Sequence, residues 1–241
     1  MNGDKTETIL LSSSFCPRLF IDSVSIAGHD VSFSRKAGNI GVIFDENISL
    51  DHHITFICKS YFFHLRNISK IRKHISVRAC ETLIHAFISS KLDFCNSLLY
   101  GLSKSSLQKL QLVQNAAARV LTFSHKHEHI SPILRKLHWL PIEQRIQYKI
   151  LLLTFKILNN CAPSYLSDLL KAYKPTRILR SSGLNLLSKP SYNLNSYGKR
   201  AFSCAAPELW NSLPQNIRSC ASVSIFKSLL KTWLFKQAYP E

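Results

Sequence analysis

The stretch "GNIGVIFDENIS", Gly38 to Ser49, reads as a buried strand that finishes on a carboxylate, Asp45. Enzymes that transfer nucleotides with metal ions hold them on such aspartates, so Asp45 is a first candidate for chemistry. Two-metal phosphoryl transfer needs several carboxylates converging on ions roughly 4 Å apart. The chain has no Asp-Asp dipeptide, and Asp45 alone does not meet that need. A second pattern, "HKHEH", sets His125, His127 and His129 at alternate positions. An extended loop would turn all three toward one ion, but no fourth ligand stands out, and solvent-facing loop histidines are the competing reading.

The third pattern is cationic and spans residues 51–74, "DHHITFICKSYFFHLRNISKIRKH". At 100° per residue, Lys59, Arg66, Lys70 and Lys73 fall within about 60° of one another on a helix. Ile54, Ile57, Cys58, Tyr61, Leu65 and Ile68 gather on the opposite arc, within about 100°. The cationic row is about 21 Å long at 1.5 Å rise per residue, and no acid lies between Asp51 and Glu81 to neutralise it. Solvated helices usually intersperse signs and gain from i,i+4 pairs. A row of like charges repels itself, and a phosphate backbone relieves that repulsion while released counterions drive binding. Arg72 falls on the apolar arc and is expected to reach out from near the helix end. Trp139 in "LHWLP" and Trp210 in "PELWNSLP" have rings that stack on bases in other proteins, yet both lie among leucines, which favours the core.

Several chemistries are excluded by what is missing. Only 7 glycines occur, with neither GxGxxG nor GxxxxGK[ST] to cradle a phosphate. There is no GxSxG elbow and no HExxH. The 7 cysteines form no CxxC pair, which argues against a zinc ribbon or a thioredoxin-type site and for buried free thiols in a reducing compartment.

The elements that must position these residues follow from composition and pattern. A chain of 241 residues, 46% hydrophobic and 19% charged, is long enough for one large domain or two small ones. Residues 1–58 carry 4 basic and 7 acidic side chains; residues 59–241 carry 27 and 7, and the whole has a net charge of +17. The sequence therefore changes job near Lys59, and the later part suits a polyanionic partner. "MNGDKTETILL" lacks the basic start of a secretory signal. "ILLLTF" is too short to span a bilayer, so the expectation is an intracellular protein, nuclear or cytoplasmic, without a membrane partner.

Alternation at Val24, Ile26, Val31 and Phe33 around "AGHD" gives a hairpin with Gly28 opening the turn. "IGVIFD" adds a third strand, apolar enough to be covered on both faces. Helical periodicity then takes over. Ser49 caps a helix to about His74, and Ser76 caps the next, with Val77, Cys80, Ile84 and Phe87 on one stripe. Ser105 and Gln108 form a capping box ahead of a helix that buries Leu110, Val113, Ala117 and Val120. Pro141 opens a long helix with Glu143 in its first turn, and Pro163 opens a shorter one. Residues 172–200 read as a long basic loop or an irregular strand pair. A last helix from Ser222 buries Phe226, Leu229, Leu230 and Trp233 and leaves Lys227 and Lys231 outside.

Taken in order, "NGDKTETILL", "NIGVIFDENIS", "FFHLRNISKIR", "ETLIHAFISSKLDFCNSLLYGL", "LQLVQNAAARVL", "LHWLPIEQRIQYKILLLTFKILN", "PSYLSDLL" and "AAPELWNSLP" resemble the C-terminal third of a LINE-type, non-LTR retrotransposon reverse transcriptase of the Jockey-like kind. The resemblance runs from about Asn2 to Tyr239. It implies a mainly α fold: a small N-terminal antiparallel β element (1–48), the remnant of the palm; a helical thumb with connecting helices (49–171); and a basic loop with a helical C-terminal region (172–241). In that family the catalytic aspartates, which bind two divalent metal ions such as Mg, lie upstream of the segment "NGDKTETILL". The expectation is thus a truncated RNA-directed DNA polymerase fragment, not an enzyme by itself and without a cofactor. Lys5 matches a palm lysine that assists departure of pyrophosphate, and Asp45 is implied to be a turn or cap residue.

By the same resemblance, the thumb helix grips a template–primer backbone of RNA, DNA or a hybrid. Lys59, Arg66, Lys70 and Lys73 would contact phosphates, joined by Arg72, Arg78, Arg177, Arg180, Lys199 and Arg200. Two alternatives stay open: a basic helical module for an acidic protein partner, and a C-terminal piece of an active polymerase whose N-terminal part is missing. Strands without the rest of their sheet would leave an apolar edge and invite self-association.

Overall fold

Left-handed backbone at two-residue loops shapes the beginning of the chain. The computed structural model describes residues 6–12, 21–175 and 184–240. β1 (Ser23–Ile26) pairs antiparallel with β2 (His29–Ser32), Val24 opposite Val31. Their loop, Ala27-Gly28, has φ of 51° and 81°, the doubly positive pair that a tight hairpin turn requires. β3 (Lys36–Asn39) and β4 (Val42–Asp45) repeat the device through Ile40 and Gly41, at φ 45° and 77°. The strand expected at "IGVIFD" is β4. Its cover is partial, with Val42 and Asp45 buried but Ile43 and Phe44 half-buried. β3 is an addition, unseen in the sequence because "KAGN" has neither branched residues nor alternation.

Residues 6–12 tie the two hairpins together. Thr8 Oγ1 donates to Ser32 O at 3.0 Å, and Ser34 Oγ donates to Thr8 O at 3.1 Å. The outward-pointing amides of the second hairpin are also engaged. Gly38 N donates to the Glu7 carboxylate at 2.8 Å, and Ile43 N donates to His53 Nδ1 at 3.4 Å. These two amides of β3 and β4 are thus met by side-chain acceptors.

Most of the remainder is helical, giving the mainly α fold with a small β element, with 59% of the described residues in helices. α1 (Asp51–Ile71) runs into a 3-10 turn (Arg72–His74). α2 (Val77–Ile84) begins on Ser76, whose hydroxyl accepts from Ala79 N at 3.1 Å. It continues as a π turn (His85–Ser89) into α3 (Ser90–Asp93). The extra residue of a π turn breaks the 3.6-residue phase, so Phe87 lies 40% exposed instead of on the buried stripe with Cys80 and Ile84. Val77, at the first position, is also exposed.

α4 (Lys104–Thr122) is capped by Ser103, whose Oγ accepts from Ser106 N, and not by Ser105 two residues later. α5 (Ile130–Lys136) and α6 (Ile142–Leu158) follow, the latter behind Pro141. Pro163 opens a 3-10 helix (Ser164–Leu169). In residues 172–200 the bridge of Ala172 with Leu187 and α7 (Asn195–Gly198) are described. α8 (Phe202–Ser212), α9 (Gln215–Arg218) and α10 (Val223–Ala238) complete the chain.

The chain divides into two compact units, Met1–His64 and Leu65–Glu241, the division falling inside α1. In the second, α6 is central and packs on α4, α8 and α10. Leu151, Phe155, Trp210, Phe226, Leu230 and Leu234 form its core, with Phe155 stacked on Phe226 at 4.2 Å. In α10, Leu229 is 37% exposed and Trp233 half-buried, so its buried stripe is Phe226, Leu230 and Leu234. Six cysteines among the described residues are free, but only Cys80 and Cys204 are buried. No helix among the described residues is long and apolar enough to cross a membrane.

Candidate nucleic-acid interface

α1 starts from a turn that Asp45 builds. Its carboxylate accepts from Leu50 N at 2.7 Å, Ser49 N at 2.9 Å, Ser49 Oγ at 3.1 Å and Asn47 N at 3.2 Å. Ile48 and Leu50 are left-handed, with φ of 50° and 58°, a costly conformation for side chains of that bulk. The four donors hold the chain there. Burial works against the Asp45 charge, but the hydrogen bonds from Ser49, Leu50 and Asn47 outweigh it and keep the carboxyl below its ordinary range. Ser49 Oγ then accepts from Asp51 N at 3.3 Å, supporting the first turn. Asp45 thus has the structural role of a turn residue at the helix entrance.

The arcs of the helical wheel are realised along α1. Ile54, Tyr61, Leu65 and Ile68 are at most 4% exposed, and Ile57 and Cys58 are half-buried. Lys59, Arg66, Lys70 and, in the following turn, Lys73 are exposed. None of the four takes part in an ion pair among the described residues, where the pairs are Arg145–Asp93, Lys189–Glu208 and His85–Glu81.

The same outer face carries aromatic rings that the sequence reading passed over. Phe56, Phe62 and Phe63 are 59%, 41% and 58% exposed. At 100° per residue all three lie within about 60° of the Lys59 direction. Their angular position was available in the sequence, though "SYFFHL" invites reading every ring as core. The face is therefore cationic and aromatic together, the combination that grips a backbone and stacks on bases.

Arg72 requires a correction. It does not reach outward; it is 4% exposed and points into the second unit. Its Nε donates to Val120 O at 3.1 Å, Nη2 to Leu121 O at 2.9 Å and Nη1 to Ile75 O at 3.2 Å. The guanidinium also lies 4.1 Å from the centre of the Phe123 ring. Val120 and Leu121 belong to the last turn of α4, whose carbonyls have no helical partner and whose dipole favours a cation. An arginine on the apolar arc is thus a helix cap supplied by another helix, and is removed from the phosphate-contacting set.

Of the other expected contacts, Arg78 is exposed on α2 and Lys199 is exposed after α7. Arg200 is half-buried, its stem so close to Gly101 that a Cβ there would come within 2.7 Å of Cγ. Arg177 and Arg180, like Lys5, lie outside the described residues.

The remaining candidates resolve as structure. His125, His127 and His129 are exposed, and no group of three or more His, Cys, Asp or Glu is gathered for a metal ion among the described residues. Glu128 Oε1 instead accepts from His125 N at 2.7 Å. Trp210 is 1% exposed and its indole donates to Asn185 O, while Trp139 is 6% exposed; both are core residues.

Comparison with protein-family models, curated proteins and solved structures finds no match.

Proposed function

We propose that this chain binds nucleic acid without reading its sequence, through the outer face of α1, and that it corresponds to the palm end, thumb and C-terminal region of a LINE-type retrotransposon reverse transcriptase. The observation that carries the reading is the outward row of Lys59, Arg66, Lys70 and Lys73, free of ion pairs among the described residues. The ordered series of segments quoted above supports the family. The chain performs no polymerisation of its own in this reading, because it has no aspartate pair and Asp45 is engaged in a turn. It acts inside the cell, where RNA, DNA or their hybrid is met.

Four phosphate contacts give a slope of log K against log salt of roughly −3 to −5. The test is charge reversal at Arg66 and Lys70, with duplex and hybrid affinity followed across salt. The expected outcome is a much weaker complex and a shallower slope by about 2; unchanged affinity and slope would dismiss the proposal.

A second reading is favoured by Phe56, Phe62 and Phe63, since rings among cations also suit an acidic amphipathic protein segment. Competition separates the two. Nucleic acid displaces an acidic peptide in the first reading, whereas in the second it is not preferred over the peptide.

A further inference from the structure

Among the described residues of the second unit, Arg72 and Arg145 have their guanidinium groups met, whereas Arg119 Nε and two nitrogens of Arg218 are buried without a hydrogen-bond partner. Arg72 caps α4 as described. Arg145 holds both oxygens of Asp93 at 2.9 Å and donates from Nε to Leu140 O at 3.0 Å. Arg218, at the end of α9, is 8% exposed, and its Nε and Nη1 have no hydrogen-bond partner. Leaving a charge out of water with no counter-group costs several kcal/mol in general, so such groups are normally paired. Arg218 also stands on the wall of a cavity of about 320 Å3, together with Asn159, Asn185, Trp210, Ser219 and Cys220. That volume reaches the range of small-molecule sites. No Asp or Glu is among the described residues lining it.

We infer that this cavity is an oxyanion site in which Arg218 receives a phosphate or carboxylate group. The reasoning is complementary charge: the described lining offers one cation, neutral amides and a hydroxyl and no acid, and two Arg218 nitrogens lack the acceptors that Arg72 and Arg145 possess. A guanidinium is the side chain best shaped for such a group, since it is planar, rich in donors and weakly hydrated. Burial alone already draws its proton affinity down, the mark of a charge without a neighbouring anion. The site is separate from the face of α1 and does not depend on the nucleic-acid reading.

The test titrates the full chain with inorganic phosphate, and in a second arm with acetate, at constant ionic strength set by chloride. Thermal unfolding and tryptophan emission are followed, Trp210 being part of the wall. Saturating anion is expected to raise Tm by roughly 3–6 °C through preferential binding to the folded state. Whichever arm acts at lower concentration identifies the source of the group. Arg218→Met is expected to abolish the shift and to melt higher than the parent in anion-free buffer, while Arg218→Lys weakens the response about tenfold. Arg66→Glu is expected to leave it intact, which keeps this outcome distinct from failure at α1. The inference is overturned if neither anion shifts Tm, if Arg218→Met responds as the parent does, or if Arg218→Met no longer folds without anion.

Discussion

Replacing Asp45 by alanine strips the acceptor from the amides of Asn47, Ser49 and Leu50 and from the Ser49 hydroxyl. Charged hydrogen bonds of this kind contribute about 1.5–3 kcal/mol each and are not additive, so a loss of about 2–4 kcal/mol is expected for the first unit. Chemical denaturation monitored there gives the value, and a loss below about 1 kcal/mol would show that the turn holds itself. Arg72→Met leaves two carbonyls of α4 without a donor and is expected to cost about 2–3 kcal/mol, read by chemical denaturation. His53 carries a pH prediction. Burial holds its pKa below 6.5, and Nδ1 must be unprotonated to accept from Ile43 N. The unfolded chain therefore binds the proton more readily than the folded one. Stability contributed by neutral His53 is complete above pH 6.5 and declines as pH falls below that toward its folded pKa. Unfolding midpoints measured from pH 7.5 to 5 should fall, and the fall should be smaller in His53→Gln.

At the scale of elements, the turn at Ile40 and Gly41 shows a device that can be improved. Ile40 is a branched residue at φ 45° and is 81% exposed. Asparagine adopts that backbone more readily and belongs to the favoured Asn-Gly pair. Ile40→Asn is expected to stabilise the hairpin by about 0.5–1 kcal/mol, read as a higher unfolding midpoint. The same turn shows how far sequence carried the fold. Ala27-Gly28 was legible because alternating apolar residues flank it, whereas β3 was hidden by its polar, glycine-containing composition. Ser76 was a readable cap, and Ser222 a readable helix start, because each precedes an apolar periodic run. The cap of α4 was misplaced within "SKSS", where three serines offer the same chemistry and only backbone geometry selects Ser103. α8 went unnoticed because Pro207 lies inside it, a residue that ordinarily ends helices. The cationic side of α1 was legible through angle alone. Its phenylalanines were readable in the same way but passed over, and the inward turn of Arg72 was not readable, because periodicity gives direction without saying what stands there to receive a side chain.

For the molecule as a whole, a net charge of +17 opposes compaction. The ion pairs among the described residues are few, and Lys189–Glu208 is largely solvated. Screening therefore relieves more repulsion than it removes attraction. Raising sodium chloride from 50 to 300 mM is expected to increase Tm, with chloride used so that the Arg218 cavity is not addressed. A decrease would mean that attractive pairs outside these dominate.

The grip of Arg72 on the end of α4 bears on how any ligand is met. The turn that holds Lys70 and Lys73 is fastened from behind, so those two ammonium groups project from backbone that is already still. A polyanion arriving there has no segment to freeze, and amide hydrogen exchange over residues 66–73 should be as slow before its arrival as after.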